Sequence, residues 1–524
     1  MLPTALAPIL LSLLALPQDS PPAELRTVAE ASEWTATATS AEVDALLARI
    51  AARSGVMHLG AMGASAGGKS LPFAVLGDPL VTTPNAIRAA GKPVVFAFGN
   101  IHAGEVDGKE ALLMLVRELA TTPDHPLLDE LIVLVAPNYN PDGNDEMDPG
   151  NRPGQEGPVA GMGERENGMG LDLNRDWMKA EAPETQAFLR VLNEYDPHLV
   201  IDTHTTNGSA HRYALTFSAP LNPAGHGPSI ALVRDELLPA VSERMRERTG
   251  YDSFFYGDFD RDHTTWTTYS ADPRFGGAYH GLRGQLSILS EAYAYASYRD
   301  RVLATREFVR EILRYVAERK EEVLAIHERA KADTIRAGAN PQPDDVVGLR
   351  FRPAAFPRPA VVRGWAWETD AGGRRRRTEE SRDYTVVHVG CFEPAVSVRR
   401  PYAYLLEPDL DAVVEKLREH GIAVEPFAGG ASVESYRVLS IEAGRREFQG
   451  HRMLSLEVEA SDARIELGPG AAIVRTAQPL GNLAVSLLEP QAVDGLAAWN
   501  FLDGRIAAGE PFPIHRVRSA RDLD

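Results

Sequence analysis

Cysteine is almost absent: Cys391 is the only one in 524 residues, so an intrachain disulfide is excluded. A lone cysteine fits an exported bacterial enzyme and a cytosolic one equally well. Positive charge is also short. Lys and Arg number 54 against 73 Asp and Glu, for a formal net charge of -19, which argues against a nucleic-acid partner. The one dense basic patch, Arg374 to Arg377, sits in a Gly-rich polar stretch and reads as a solvated loop. No fixed-period repeat is present. Past the N-terminus no stretch is apolar and long enough to span a membrane, so no integral span is expected in the mature chain. Residues Met1 to Pro17 are apolar but too short to span comfortably, and their length suits the apolar core of a signal peptide. They carry no Lys or Arg at the start and no clean A-x-A site. Residues 1–20 are read as a signal peptide and the chain as secreted or periplasmic.

A chain of this length is expected to divide into two domains. Residues 23–337 alternate helical and strand patterns, which predicts an α/β domain with a largely parallel sheet flanked by helices. Strands are expected over Leu71–Leu76, Pro93–Phe98, Leu131–Ala136, His198–His204 and Gln285–Glu291. Helices are expected over Ala23–Glu33, Ala41–Ala52 with Ser40 as N-cap, from Val106, over Pro183–Tyr195 and Ser229–Arg248, and a long helix or helix pair over Asp300–Ala332. Two long stretches, Pro137–Gly170 and Tyr251–Arg283, read as loops, and a loop of the first kind inside a compact domain is usually functional. Asn340 to Asp345 is a linker. Residues 346–524 then show β-type alternation with one clear helix, Leu410–His420, and are read as a β-rich accessory domain. His388 and Cys391 are close in sequence there, but no base or orienting group accompanies them, and they are read as packing residues.

The predicted strands end in polar residues on the edge where open α/β sheets build their sites. After Pro93–Phe98 come Gly99-Asn100-Ile101-His102-Ala103-Gly104-Glu105, then a helix. A His and a Glu three apart can both reach one cation, with nitrogen from one and carboxylate oxygen from the other. His-x-x-Glu alone is common. His204 at the end of a second buried strand and Glu291 at the end of a third make a shared site the better reading.

Taken in order, His102-x-x-Glu105, Asn140-Pro141-Asp142-Gly143, Asp172-x-Asn174-Arg175-Asp176-Trp177, His204 and Glu291 resemble the zinc carboxypeptidase family over about Ala23 to Ala332. The resemblance implies a mixed, mostly parallel eight-stranded sheet with one zinc at its carboxyl edge. It implies that His102, Glu105 and His204 bind Zn2+, that Asp172 orients His102, and that Glu291 is the general base for a zinc-activated water. Arg175, with Asn174 beside it, would grip a free carboxylate on the substrate. The family's carbonyl-polarising arginine would be Arg165 or Arg152, with Arg165 slightly preferred, and its mobile tyrosine Tyr279 or Tyr269. Arg274 and Arg283 lie where side-chain selection is expected. The implied activity is removal of a residue with a free carboxylate from a peptide. The alternatives are an amidase or deacylase on the same scaffold, acting on peptidoglycan-type or N-acyl amino acid substrates, and a non-catalytic binding protein.

Overall fold

The computed structural model describes residues 21–370 and 372–524. The signal-peptide reading concerns residues 1–20 and lies outside the described residues. The first ten strands are β1 (Met57–Ala64), β2 (Ser70–Leu76), β3 (Val94–Gly99), β4 (Ile132–Ala136), β5 (Leu199–Thr206), β6 (Leu215–Ser218), β7 (Ser253–Phe255), β8 (Asp258–Phe259), β9 (Thr265–Thr267) and β10 (Leu286–Tyr293). Eight of them form one sheet in the order β1-β2-β4-β3-β5-β10-β6-β7. The run β4-β3-β5-β10 is parallel throughout, β6 and β7 are parallel to each other, and the other three pairings are antiparallel. The sheet is therefore mixed and mostly parallel, flanked by helices, as the alternation of elements requires.

Period-two alternation builds a separate core on each face of this sheet. Phe96, Phe98 and Val200 point to one side, where they meet Trp177 and Phe188. Val95, Ala97, Leu199 and Ile201 point to the other, against Leu112, Val116, Phe308 and Ile312 of the helices Asp107–Thr121 and Tyr298–Glu318. Both faces are covered, so β3 has no exposed residue and reads as a continuous apolar run.

The departures from the sequence reading are local. Met57–Ala64 was not foreseen as a strand because Gly60 and Gly63 dilute its alternation. The stretch Tyr251–Arg283 is not a plain loop: it contains β7, β8, β9 and the helix Gly276–Leu282. Ala23–Glu33 is two single turns, Ala23–Leu25 and Val28–Ala31, and the helix after them is capped by Thr39 and Glu42, with Ser40 its first residue. After Asp300, where one long helix or a pair was expected, the structure has the pair, Tyr298–Glu318 and Lys320–Ala339, divided at Arg319.

The C-terminal part adds β11 (Val346–Ala354), β12 (Ala360–Thr369), β13 (Arg375–Val389), β14 (Cys391–Arg399), β15 (Ala403–Leu406), β16 (Glu425–Ala443), β17 (Leu454–Arg475) and β18 (Ile514–Val517). Strands β15, β17, β16 and β18 close into a barrel, and β11 pairs with β14. The remaining two, β12 and β13, join β8 and β9, so this sheet takes strands from both halves of the chain. Arg375 to Arg377 open β13, which corrects the reading of that basic run as a loop.

The C-terminal barrel has a small core of its own, with Leu405, Val433, Ile473 and Val517, and a larger cluster is shared by the two halves. Trp177, Phe188 and Tyr279 lie in the same buried cluster as Leu417, Tyr436, Leu488 and Trp499. Polar contacts cross as well. Lys416 Nζ donates to Ala180 O (2.8 Å), Arg274 Nη2 meets Asp494 Oδ1 (2.9 Å), and Asp172 N donates to Gln449 Oε1 (2.8 Å). A chain ended after Ala339 leaves this face of the core open and removes the Gln449 acceptor from Asp172. We expect it to aggregate rather than unfold cooperatively, as size-exclusion chromatography and thermal circular dichroism would show.

Candidate metal centre and active-site cleft

The turn after β3 is set by backbone as much as by side chains. Asn100 is buried at φ 65°, a left-handed conformation that Asn tolerates better than most residues. Its Nδ2 donates to Asn138 Oδ1 (2.8 Å) and Asn144 Oδ1 (3.0 Å), which ties the turn to the loop after β4. The helix that follows then comes very close to β5. A Cβ on Gly108 would lie 2.0 Å from Thr203 Oγ1, so only glycine permits the approach that sets His102 and Glu105 beside His204.

There the three side chains converge, buried. His204 Nδ1 lies 3.2 Å from His102 Nδ1 and 2.9 Å from Glu105 Oε2, and His102 Nδ1 lies 3.1 Å from Glu105 Oε1. The outer nitrogens face carboxylates: His102 Nε2 is 3.0 Å from Asp172 Oδ1, and His204 Nε2 is 2.9 Å from Asp202 Oδ2. Those partners place a proton on each Nε2. In the neutral rings both Nδ1 lone pairs then point at one spot together with the Glu105 carboxylate. Three electron-rich atoms converging in a buried site fit a cation, and two imidazoles with a carboxylate suit zinc. Glu105 is ready to ligate. Burial would raise its carboxyl, but His102 and Arg152 hold it well below the usual range. Asp172 is likewise held low against burial by His102, Arg165 and Arg175.

Glu291 sits on β10 directly opposite His204 on β5, in parallel register, so the two share a face of the sheet. It lines a cleft of about 320 Å3 with the three convergent residues, Asn174, Arg175, Arg152 and Arg165. Burial pushes its carboxyl up to about 8, with His204 and Arg165 opposing and Glu105 and Asp202 reinforcing. A divalent cation nearby would draw it back toward the ionised form.

The long loop after β4 carries two arginines to the cleft. Asn140 pins it, accepting from Gly143 N (3.0 Å) and donating to Glu166 O (3.1 Å). Arg152 Nη2 donates to Glu105 Oε1 (2.9 Å), while Arg165 grips Asp172 Oδ2 through Nε (2.9 Å) and Nη2 (2.8 Å). Arg175 is less well compensated. Its guanidinium lies 4.1 Å from the Phe275 ring centroid and 3.9 Å from Asp172 Oδ2. Burial disfavours its charge; Asp172 offsets part of this, and Arg165 and Arg274 add repulsion.

Not every expected residue lies in the cleft. Tyr269 lines it, edge-on to Tyr256 at 5.5 Å between ring centroids. Tyr279 does not. It is fully buried in the helix Gly276–Leu282, stacks on Trp177, and hydrogen-bonds His420 Nδ1 at 2.7 Å, so it is a packing residue and not a loop tyrosine. The Gly-rich stretch that looked like a closing loop is that helix. Arg283 is turned away as well, donating to His420 O (2.9 Å) and Asn193 Oδ1 (2.8 Å), and Arg274 is held by Asp494. Among the residues of the site that were missed are Asp202, Tyr256 and Phe275. Asp202 lies two positions before His204 on one strand, so period two puts both on the same face; Asp-x-His was there to be read. Tyr256 had no comparable signal beyond the aromatic content of its segment.

Comparison with known proteins agrees with this geometry. Residues 43–219 match the model of the family described as "Zinc carboxypeptidase". Carboxypeptidase 2 of Trichophyton rubrum is 24% identical over 482 residues, covering 86% of this chain and 81% of its own length. A match that long includes much of the C-terminal half, which the sequence resemblance had left out. Carboxypeptidase D of Anas platyrhynchos is 30% identical over 149 residues, 26% of this chain and 10% of that one. Among solved structures, carboxypeptidase A of Helicoverpa armigera overlays with a TM-score of 0.41 at 18% identity, covering 54% of this chain and 74% of that one.

The convergence of lone pairs generates a test. The protein should hold about one zinc per chain. His204→Ala should lose most of it, and acidification should release it from the wild type as the ligands protonate. Metal analysis after desalting reads both, and unchanged zinc in His204→Ala would remove that residue from the centre.

Proposed function

We propose that this chain, whose residues 43–219 belong to the zinc carboxypeptidase family and which is therefore a zinc metallopeptidase of carboxypeptidase type, hydrolyses the peptide bond next to a residue with a free carboxylate. The observation that carries the reading is one cleft holding the convergent His102, Glu105 and His204, Glu291 on the neighbouring strand, and an undercompensated Arg175. Zinc held by the three ligands would supply a Lewis acid and lower the pKa of water.

The protein's own groups do the rest. Arg175, stacked on Phe275 and repelled by Arg165 and Arg274, gains the counter-charge it lacks when a substrate carboxylate arrives, and Asn174 stands beside it. Binding there fixes the scissile bond near Glu291. Glu291 takes a proton from water and returns it to the leaving nitrogen; a carboxyl pushed up by burial suits both directions of transfer. Arg165 polarises the scissile carbonyl and balances the charge that builds on its oxygen. Its fork already stands on Asp172, so it is oriented before substrate binds. Arg152 neutralises Glu105, and Tyr269 closes the wall of the cleft. Asp172 and Asp202 fix the two imidazoles in the tautomer that offers Nδ1. Residues 1–20 would act as the export signal, placing this activity outside the cytoplasm.

Two outcomes test the reading. Glu291→Gln should retain zinc and fold but lose about a hundred-fold or more in kcat, the scale of general acid–base work; near-normal turnover would mean another group carries the proton. A peptide with a free C-terminus should be cut far faster than its C-terminal amide. In Arg175→Met that difference should vanish, chiefly through loss of cleavage of the acid. Equal cleavage of acid and amide by the wild type would favour the amidase reading instead, with the metal centre and Glu291 unaffected.

A further inference from the structure

A second groove begins one residue beyond the lining of the cleft. Thr206 and Asn207 line the cleft, and the next residues, Gly208 and Ser209, line the groove, of about 670 Å3. Tyr295, which lines the groove, donates through Oη to O of Asn207, which lines the cleft, at 2.6 Å. Phe259, Tyr295 and Trp367 give this groove aromatic walls, and Arg261, Arg375 and Arg377 give it charge.

The β12–β13 pair explains how an Arg run became a wall. Arg375 and Arg377 are two apart on β13, so they share a face, and Trp367 of β12 is the residue opposite Arg377. Arg376 points to the other face, toward Glu368 opposite it, at 3.8 Å. The Arg375 guanidinium lies 5.5 Å from the Trp367 ring centroid, and Arg377 lies 5.5 Å from that of Trp365. Cation–π contact orients these forks without cancelling their charge. Arg375 also donates to Arg261 O. Two acidic residues line the groove. Hydrogen bonds from the N–H groups of Thr264 and Thr265 and the Thr264 hydroxyl hold Asp260 ionised, so three arginines face two carboxylates, Asp260 and Glu156, and the balance stays positive. A positive groove on a chain of net charge -19 marks a place for an anionic segment.

We propose that this groove receives the part of the peptide substrate on the amino side of the scissile bond, and that Arg375 and Arg377 select acidic side chains there. The inference rests on the carboxypeptidase reading. Arg175 holds the terminal carboxylate, so the rest of the peptide leaves the cleft in the amino direction. An extended peptide advances about 3.3 Å per residue, so side chains a few positions upstream meet the arginines.

The experiment uses the full chain carrying Glu291→Gln and fluorescent hexapeptides with free C-termini that differ only in three upstream side chains, Glu, Gln or Lys. Fluorescence anisotropy should rank Glu over Gln over Lys, with Glu bound about 5- to 10-fold tighter than Gln at low salt, the scale of two partly exposed ion pairs. The margin should shrink as salt is added. Arg375→Gln with Arg377→Gln should flatten the ranking, and Arg375→Glu with Arg377→Glu should invert it, an outcome that unfolding cannot mimic. Equal binding of the three peptides, or an unchanged ranking in the charge-reversed protein, would overturn the proposal. Turnover of the same peptides by the wild type separates this inference from the reading beneath it. Charge-ranked binding without release of the terminal residue would refute the carboxypeptidase reading and leave the groove standing. Release without charge ranking would do the opposite.

Discussion

Two imidazoles that give their outer nitrogens to carboxylates must present their inner ones to something else. In this protein they present them to each other, 3.2 Å apart, with a carboxylate between. Much of the cleft's construction keeps that juxtaposition in place. Gly108 lets the helix that follows His102 and Glu105 lie on Thr203; Asn100 holds the turn that carries them in a left-handed conformation; Asp172 and Asp202 fix the rings; Arg152 and Arg165 balance the carboxylates. Buried charges of this density are tolerated only as a connected set, since removing one partner leaves another uncompensated.

The parallel centre of the sheet and its catalytic edge were legible in the sequence, because a strand buried on both faces has little freedom in composition. Val94–Gly99 and Leu199–Ile201 are apolar at every position, and the polar residue that ends such a run stands out. What escaped was decided by packing between distant segments. Gly276–Leu282 contains three glycines in seven residues and has weak helix propensity, yet tertiary contacts with Trp177 and His420 hold it helical and bury Tyr279. The burial of Arg283 in the same contacts could not be read from its neighbours in sequence. Asp202 was legible in principle, since strand period alone places it with His204.

The C-terminal half is harder to read for a similar reason. Its alternation announces strands and not their partners. That β13 would pair in parallel with β9, or that Gln449 would accept from the backbone of Asp172, depends on contacts between residues more than a hundred positions apart. The basic run Arg374 to Arg377 is largely solvated, as charge runs usually are, with Arg375 alone half-buried. Strand geometry divides it, sending alternate side chains to opposite faces, so its neighbours in sequence have different surroundings.

The Asp172–Gln449 contact also has a bearing on biosynthesis. A ribosome delivers His102, Glu105, His204 and Glu291 long before it delivers residue 449, and domains tend to fold as their residues emerge. Here the N-terminal half emerges with one face of its core uncovered and with the backbone of Asp172 short of an acceptor. The nascent chain therefore carries the residues that line the cleft well before it can assemble them into a finished one. The order of synthesis thus withholds the completed cleft until residue 449 has been made.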